Sequence, residues 1–589
     1  MADFWDELKK DLQASWLELR LGWLQAWAGL RNALRRARGE RVDYVVLRLS
    51  GPLPERAGPP RGFFQRRLLP PEPLSLQALN AQLQAIAEAE NVRGVIFVLG
   101  QLSPGGLATL QNVRRSLERL RASGKEAVVF TPYLDLTHYY VASAADRIVA
   151  PPSSQFELLG LRVETFFLRE ALQQVGVEAD IVQISPYKTA GNMFDKAEMT
   201  PEQREQLTWL LDDNYDLITA DIAAGRGLPQ ERVQALIDRA PLVPEEALEA
   251  GLVDALAYED ELATLLAPED AETDEKESRP RARLLSWQRA APLLLEKPRL
   301  YLDRYIGVVS LEGMIVTGES QQPPVDLPLP FGSGLLAGHE TINRTLRRAE
   351  RNDRMAALVF HVDSGGGSAL ASDLIWRQLQ QVARKKPVLI YMGNTAASGG
   401  YYVAAGGARI LCQPATVTGS IGVLAGRFNT DGLYEKLQVN RTVLQRGEHA
   451  NLYSDAGPLE PGERELLWRM VVHTYEQFLD VVAEGRDLER EALDGIAGGR
   501  VWTGRQARER GLVDGFGDFV DAVEAAAGLA NLRPAGYERV AVADLYPARR
   551  RGRLPLALGA GQNVSGLLSR YQRLFGETLL LLPFRLRWH

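Results

Sequence analysis

Hydrophobic residues recur along this chain in two patterns that predict different elements. Four short, mainly apolar runs are typical of buried strands, and they cover residues 94–99, 127–130, 357–362 and 388–391. Residues 107–120 and 369–383 show helical spacing of apolar positions. The elements follow one another twice in the order strand, helix, strand. This alternation predicts an α/β fold with right-handed crossovers between parallel strands.

The N-terminal segment shows the spacing of one long amphipathic helix over residues 3–38. Apolar residues recur at steps of three or four on a single face, namely Trp5, Leu8, Leu12, Trp16, Leu19, Trp23, Trp27, Leu30 and Leu34. The C-terminal end of the helix is basic, with Arg31, Arg35, Arg36 and Arg38. This pattern predicts either a helix in the lipid headgroup layer or one docked on the protein's own body or on a sister subunit.

No stretch of about 18 predominantly apolar residues occurs, so we expect no ordinary membrane-spanning helix. The N-terminus has no cleavable signal pattern. The C-terminal stretch 567–589 contains four consecutive leucines at 579–582, and we expect it to pack on the core or on another subunit. Peripheral membrane association is the expected location; the side of the membrane is left open, and a cytoplasmic location is the alternative.

The chain contains an internal repeat. The sequence Tyr-Tyr-Val-Ala at 139–142 recurs at 401–404, and Gly-Leu-Val-Asp at 251–254 recurs at 511–514. Such matches in the same order predict two copies of one domain. A charge-dense stretch between the copies is typical of a linker. The predicted organisation is an amphipathic helix at 1–41, a first copy at 42–266, a linker at 267–297, a second copy at 298–535 and a C-terminal extension at 536–589.

The composition of the chain argues against several classes of partner and binding site. The net charge of −7 argues against nucleic acid as a partner. Cys412 is the single cysteine, so neither an internal disulfide nor a zinc cage can form from cysteines. The six histidines show no metal-ligand spacing. We therefore expect neither a metal nor a cofactor.

A glycine-rich turn follows the first strand of each copy, at residues 103–106 and 363–368. Glycines allow backbone N–H groups to approach a bound group closely. Such a turn could hold an oxyanion or a phosphate. On its own the pattern is explained as well by a plain tight turn.

Ser398 follows the second strand of the second copy, at a strand-to-helix turn between small residues. Local sequence favours a helix cap for it, but a serine there could also act as a nucleophile with a neighbouring base. His361 lies within a buried strand and is better explained as a core residue. Lys188 is another candidate base. Free lysine has a pKa of about 10.4, so burial would have to lower it, and an exposed loop lysine is the simpler interpretation.

The internal repeat favours a catalytic interpretation of Ser398 and Lys188 over a structural one. At an offset of 262 residues, Ser398 aligns with Leu136 and Lys188 aligns with Ala450. Each copy thus carries one of the two polar residues and an apolar residue in place of the other. A duplicated enzyme that has divided a catalytic dyad between its halves would show this pattern.

At these residues the chain resembles the long, two-domain form of the signal peptide peptidase A (protease IV) family. The resemblance is carried by Ala-Ala-Ser-Gly-Gly-Tyr at 396–401, Thr-Gly-Ser-Ile-Gly-Val at 418–423 and Tyr187-Lys188. It implies two tandem domains similar to Clp protease and crotonase. It also implies a serine protease with a Ser/Lys dyad, acting without cofactor on hydrophobic peptides such as remnant signal peptides, and a homotetramer.

The resemblance also assigns roles to individual residues. It implies that Ser398 is the nucleophile, Lys188 the general base, and Ser420 the serine that orients the lysine. It implies an oxyanion hole at the Gly366–Gly367 turn and the Gly399 amide. The family's turn usually has proline where this chain has Gly365, so the donating amide is left open.

Three alternatives stay open. A crotonase-like enzyme would act on acyl-CoA with the same oxyanion turn, although it would need a carboxylate in place of Ser398. The spacing Ser185-x-x-Lys188 matches the dyad motif of penicillin-binding enzymes, although Pro186 argues against the helix which that motif opens. A catalytically inactive, peptide-binding scaffold at a membrane surface is the third.

Overall fold

Two parallel β-sheets of the same strand order make up the two halves of the protein. The computed structural model describes residues 22–37, 42–59, 61, 67, 71–267, 280–321, 335–536, 538–547 and 579–581. The elements of the first half are α1 (22–37), β1 (Tyr44–Gly51), α2 (Leu76–Glu88), β2 (Gly94–Leu102), α3 (Leu107–Ala122), β3 (Glu126–Phe130), β4 (Leu134–Asp135), α4 (Leu136–Ala142), β5 (Arg147–Ala150), β6 (Phe156–Glu157), α5 (Arg169–Gln174), β7 (Glu178–Gln183), α6 (Asn192–Asp195), α7 (Pro201–Arg226), α8 (Gln230–Arg239), α9 (Pro244–Glu249), β8 (Ala255–Leu256), α10 (Leu262–Leu265), β9 (Leu284–Ser286) and α11 (Trp287–Ala290).

The second half repeats this succession and adds strands around the end of its sheet. Its elements are β10 (Leu300–Glu312), β11 (Met314–Val316), β12 (Leu336–Gly338), α12 (His339–Glu350), β13 (Met355–Ser364), β14 (Gly366–Ser368), α13 (Ala369–Ala383), β15 (Val388–Ala397), α14 (Gly399–Ala404), β16 (Arg409–Cys412), β17 (Val417–Gly419), β18 (Leu424–Asn429), α15 (Asp431–Lys436), α16 (Pro461–Arg486), β19 (Val501–Thr503), α17 (Gly504–Glu509), β20 (Gly515–Phe516), α18 (Phe519–Leu529), β21 (Glu538–Asp544) and β22 (Leu579–Leu581).

The sheets confirm the predicted α/β fold and its tandem repeat. The first sheet has the order β8-β5-β3-β2-β1-β9, and all neighbouring strands are parallel. The second contains the equivalent parallel series β20-β16-β15-β13-β10-β21. All four apolar runs singled out in the sequence lie in strands of these sheets, β2, β3, β13 and β15. Their interior strands are buried between helices, which explains why they are continuously apolar rather than alternating.

The repeated sequence motifs make equivalent contacts in each half. The Tyr139 hydroxyl donates to the Leu252 carbonyl at 2.9 Å, and the Tyr401 hydroxyl donates to the Leu512 carbonyl at 2.8 Å. These bonds connect α4 and α14 to the residues that come just before the outer strands β8 and β20. The motifs are therefore recognisable because each fixes the same tertiary contact.

The last strand of each repeat lies outside the boundaries proposed from the sequence. Residues 284–286 of the proposed linker form β9, which pairs with β1. Residues 538–544 of the proposed C-terminal extension form β21, which pairs with β10. Both strands lie at the same edge of their sheets, so each repeat includes one more strand than its apolar periodicity suggests.

A third sheet joins the two halves. Its order is β12-β11-β14-β22-β18-β7, and β7 comes from the first half while its neighbours come from the second. β7 and β18 pair antiparallel from Glu178 opposite Asn429 to Gln183 opposite Leu424. This pairing fixes the position of the chain that follows β7.

Helix α1 is the described part of the predicted N-terminal helix, and residues 3–21 of that prediction lie outside the described residues. The Arg35 guanidinium donates to the Leu294 carbonyl and pairs with Glu296, both at 2.7 Å. Trp23 and Trp27 stack on each other and are 64% and 47% exposed. The helix thus touches the body through Ala28, Asn32 and Arg35 and leaves its tryptophans exposed. No helix in the described parts of the chain is long and apolar enough to cross a bilayer.

Candidate active site

Ser398 occupies the sharp turn between β15 and α14. Its φ of 54° and ψ of −117° are unusual for a residue other than glycine. The Ser398 amide donates to the Gly419 carbonyl at 2.8 Å, which holds the turn. The expectation of a helix cap is wrong, because the hydroxyl makes no capping hydrogen bond. The hydroxyl is instead free to contact a side chain from the other repeat.

That side chain is Lys188. Its Nζ lies 2.6 Å from Ser398 Oγ, and both residues are fully buried. The same Nζ contacts Ser420 twice, at 3.0 Å from Oγ and at 3.1 Å from the carbonyl oxygen. Lys188 is therefore not the exposed loop lysine that local sequence favours, and the sequence-predicted trio of Ser398, Lys188 and Ser420 is in mutual contact.

Burial controls the charge of Lys188. Desolvation holds the pKa of its amine well below the ordinary value of lysine, because an ammonium loses its hydration in this environment. Its three close contacts are two hydroxyls and a carbonyl, none of them an anion. The neutral amine, which can accept a proton, is thereby favoured.

The pairing of β7 with β18 places Lys188 next to Ser398. It is extended by the Ile184 amide, which donates to the Val423 carbonyl at 2.9 Å. A short loop then leads to Lys188, while the chain before Val423 carries Ser420. Two residues that lie 210 positions apart in sequence are thus brought together by one antiparallel ladder.

Gly499, which no sequence pattern singled out, packs against the backbone of Lys188. A Cβ at this position would lie 2.2 Å from the Lys188 nitrogen, and φ is +90°. The preceding residue, Gly498, accepts a hydrogen bond from the Tyr187 amide at 3.2 Å. The consecutive glycines at 498 and 499 were the available signal, but nothing in the local sequence connects them with a lysine more than three hundred residues earlier.

We expect Gly499→Ala to lower kcat for a peptide substrate by about 10²-fold, because the new methyl group displaces the Lys188 backbone and shifts Nζ from Ser398. The measurement is steady-state hydrolysis together with a thermal melt. Gly462→Ala is a matched control, since a Cβ there meets nothing within 4 Å. Full activity in a folded Gly499→Ala variant would contradict this account.

The glycine turn after β13 lies beside Ser398. A Cβ at Gly399 would be 3.2 Å from the Gly366 Cα and 3.3 Å from the Gly367 nitrogen, so these three glycines are adjacent. The Gly366 amide donates to Ser364 Oγ at 3.2 Å, within the turn itself. Gly367 has no room for a side chain, since its Cβ would lie 2.0 Å from the Ile315 carbonyl oxygen. The amides of Gly367 and Gly399 are therefore the better candidates for an oxyanion hole.

The glycine turn of the first repeat has a different role. The Asn394 side chain from the second repeat fills the space there, and a Cβ at Gly106 would lie 2.7 Å from its Oδ1. Asn394 Oδ1 also accepts a hydrogen bond from the Thr109 amide at 3.0 Å. This turn is thus used for contact between the repeats. Leu136, the counterpart of Ser398, begins α4 as a buried apolar residue.

The other candidate residues lie in different surroundings. His361 is buried in β13, where its Nδ1 lies 3.3 Å from Ser310 Oγ and 3.5 Å from Glu312. Ser185 is exposed, and it lies in a loop rather than at the start of a helix. Burial raises the pKa of the Cys412 thiol to about 12, which disfavours a reactive thiolate. Among the residues that the structure describes, no group of three or more His, Cys, Asp or Glu could hold a metal ion.

Comparison with known proteins finds one sequence family that matches the chain in two separate segments. The sequence model of peptidase family S49 matches the chain twice, over residues 119–272 and 380–533. The chain belongs to peptidase family S49. The first match contains Lys188, and the second contains both Ser398 and Ser420. By family the chain is a serine protease.

Two relatives match this chain over about three quarters of its length. The chloroplastic serine protease SPPA of Arabidopsis thaliana is 33% identical over 461 residues, which cover 78% of this chain and 66% of that protein. Protease 4 of Haemophilus influenzae is 27% identical over 466 residues, covering 76% of this chain and 72% of its own length. Among solved structures, a ClpP1 variant from Listeria monocytogenes is 14% identical with a TM-score of 0.24, and the match covers 37% of this chain and 94% of that one.

Proposed function

We propose that this S49 protein is an endopeptidase that cleaves hydrophobic peptides with Ser398 as nucleophile and Lys188 as general base. The observation that carries the proposal is the 2.6 Å contact between Lys188 Nζ and Ser398 Oγ, with both residues fully buried. A serine needs an adjacent base to become nucleophilic. A lysine kept neutral by burial is such a base.

The reaction follows from these positions. Ser398 Oγ attacks the carbonyl carbon of the scissile bond while Lys188 takes its proton. The Gly367 and Gly399 amides stabilise the oxyanion, each contributing about 3–4 kcal/mol to the transition state. Lys188 then donates the proton to the leaving amine, and the C–N bond breaks. Water hydrolyses the acyl-enzyme by the same route and restores Ser398.

Ser420 acts in this proposal as a positioning residue. Its hydroxyl and its carbonyl both contact Lys188 Nζ. Ser398 Oγ is the third close contact of the same amine. Ser420 holds a φ of 52°, and its amide donates to the Arg500 carbonyl. The loop is thereby fixed, so that the lysine amine has one preferred direction.

Activity should rise with pH through the lowered pKa of Lys188 and be lost as the pH falls below that pKa. Only the neutral amine can accept the serine proton, and protonation removes this form as the pH falls. The measurement is kcat/KM for a neutral hydrophobic peptide from about pH 5 to about pH 9. A flat profile over this range would contradict Lys188 as the base.

A fluorophosphonate label tests the proposal directly, since it forms a covalent bond with an activated serine. Peptide mapping by mass spectrometry is expected to find the label on Ser398, with labelling accelerated as the pH rises. Label on another serine would assign the nucleophile elsewhere. A protein that takes up no label and hydrolyses no peptide would favour the scaffold alternative.

Remnant signal peptides at a membrane surface are the substrate class that the family resemblance suggests, and we propose it for this chain. The exposed Trp23 and Trp27 of α1 support attachment to a lipid surface, because tryptophan prefers the headgroup region. The homotetramer implied by the same resemblance belongs to this proposal as well.

A further inference from the structure

Three aromatic side chains from separate segments of the chain stack on one another beside the loop that carries Lys188. The ring of Tyr187, which directly precedes the lysine, has its centroid 5.6 Å from that of Trp209 on α7. The Trp209 ring is stacked on Trp502 of β19, with centroids 5.0 Å apart and an interplanar angle of 11°. We call Tyr187, Trp209 and Trp502 the aromatic stack. It joins the two repeats, since its first two members belong to one and the third to the other.

An arginine lies over the ring at each end of the aromatic stack. The guanidinium of Arg500 is 4.2 Å from the ring centroid of Tyr187, and that of Arg510 is 3.9 Å from the ring centroid of Trp502. Both positions are those of a cation–π contact. The Tyr187 hydroxyl donates to Glu205 at 2.8 Å. The charged groups that face the stack are therefore Glu205 from α7, Arg510 from the second repeat and Arg500 from the loop before β19.

Trp209 also joins α7 to β19 through hydrogen bonds. Its Nε1 donates to the Val501 carbonyl, and Gln206 Oε1 accepts from the Val501 amide, both at 2.9 Å. β19 pairs with β17, where Val501 lies opposite Gly419. The Gly419 carbonyl is the group that accepts the Ser398 amide. Trp209 thus contacts the residue before the general base and, on its other side, the strand next to the turn of the nucleophile.

We infer that Trp209 is a positioning residue for Lys188, whose ring holds the lysine loop against β19 and keeps water from the amine. The inference rests on the proposed function. The loop passes from exposed residues at 185 and 186 to the fully buried Lys188 within two positions, and Tyr187 lies between them. The ring of Trp209 is what Tyr187 packs on at this point. Without that ring, Nζ is free to shift from Ser398 Oγ, and water gains access to it.

Water at the amine would change the pH dependence of the reaction. Desolvation is the cause that lowers the pKa of Lys188, because the ammonium form loses its hydration there. Hydration restores part of the ordinary pKa, so the pH at which half of the amine is neutral moves upward. Tryptophan and leucine are both uncharged, so replacing Trp209 with leucine leaves Glu205, Arg500 and Arg510 in the chain. A shift of the midpoint then reports the hydration of Lys188 rather than a lost charge.

The rate at which a fluorophosphonate labels Ser398, measured from about pH 5 to about pH 9, tests the inference, since this rate follows the neutral fraction of the base. Trp209→Leu is expected to raise the midpoint by about one pH unit and to slow labelling about tenfold below it. Trp209→Phe is the matched control, because it also lacks the indole N–H but keeps a ring. Its midpoint should stay within about 0.3 unit of wild type. A folded Trp209→Leu with the midpoint of wild type, or of Trp209→Phe, would overturn the inference.

A second pair of variants tests the same contact from the other side, at a ring that is only partly buried. Tyr187→Phe and Tyr187→Leu both lack the hydroxyl that contacts Glu205, so they differ in the ring alone. Tyr187→Leu is expected to have the higher midpoint, again by about one pH unit. Equal midpoints in this pair would overturn the inference even if Trp209→Leu did not fold.

Trp287→Leu separates positioning from a general loss of stability. Trp287 of α11 is also partly buried, and it packs against the core of the first repeat. Thermal melts of Trp287→Leu and Trp209→Leu are both expected to show a lower Tm, whereas only Trp209→Leu shifts the midpoint. A shift of the same size in Trp287→Leu would reduce Trp209 to a structural residue and overturn the inference.

The wild-type profile distinguishes the two levels of the argument. Wild type that is labelled on Ser398 with a clear midpoint, together with unshifted variants, overturns the inference and leaves the proposed function intact. Wild type whose labelling does not change with pH overturns Lys188 as the base, and the inference falls with it.

Discussion

Replacing Ser398 with alanine is expected to lower kcat for a hydrophobic peptide by at least about 10⁴-fold without unfolding the protein. The hydroxyl is the atom that forms the acyl-enzyme, so nothing replaces it when Oγ is removed. Folding should survive, because the turn is held by the Ser398 amide and the Gly419 carbonyl rather than by the side chain. Fluorogenic peptide hydrolysis measures the first effect, and a thermal melt measures the second.

Ser185→Ala is the matched control for this variant. Ser185 is an exposed serine three residues before Lys188, and its removal is expected to leave kcat within about twofold of wild type. Loss of activity in Ser185→Ala with activity retained in Ser398→Ala would revive the motif typical of penicillin-binding enzymes. Activity that persists in both variants would assign the nucleophile to neither residue.

Much of the fold follows from short-range patterns. Continuous apolar runs identify the central strands because parallel strands are covered on both faces. The turn at Ser398 is visible as small residues between a strand and a helix. The weaker edge strands β9 and β21 escape prediction, since each is partly exposed and lies outside the repeated motifs.

The candidate site is harder to predict, because its contacts cross the chain. Local sequence favours a cap for Ser398 and an exposed position for Lys188, and the structure contradicts both. The comparison of the two repeats and the family resemblance, rather than any local pattern, suggested that the residues belong together. The physical cause of their meeting is the β7–β18 ladder, which no local pattern encodes. The same holds for Gly499 and for β22, whose partners lie more than 150 residues away.

Replacing Lys188 with methionine is expected to lower kcat by at least about 10³-fold, because methionine fills a similar space but accepts no proton at neutral pH. Combination with Ser398→Ala should cost no more than the serine change alone, since the two groups act in one step. Peptide hydrolysis by the single and double variants measures this. Loss in the double variant equal to the product of the two single losses would indicate independent roles.

The same substitution should preserve or increase stability, by an amount that depends on pH. The pKa of Lys188 is lower in the folded chain than in the unfolded chain, so the unfolded chain binds more protons between the two values and stability rises with pH there. Below both values the cost of burying the amine is fully present, and methionine removes it. The gain from Lys188→Met should therefore be greatest in acid and diminish as the pH rises toward the ordinary lysine value.

Lys386→Met separates this effect from a general response of buried lysines. Lys386 Nζ donates to the carbonyls of Ala349 and Asn352 at 2.9 and 2.7 Å, which methionine cannot do. We expect this variant to lose stability and keep its kcat, the opposite of Lys188→Met. Denaturant unfolding at two pH values and peptide hydrolysis give both readouts. If Lys188→Met were as destabilised as Lys386→Met, its amine would be a structural donor, and the case for a base kept neutral by burial would fail.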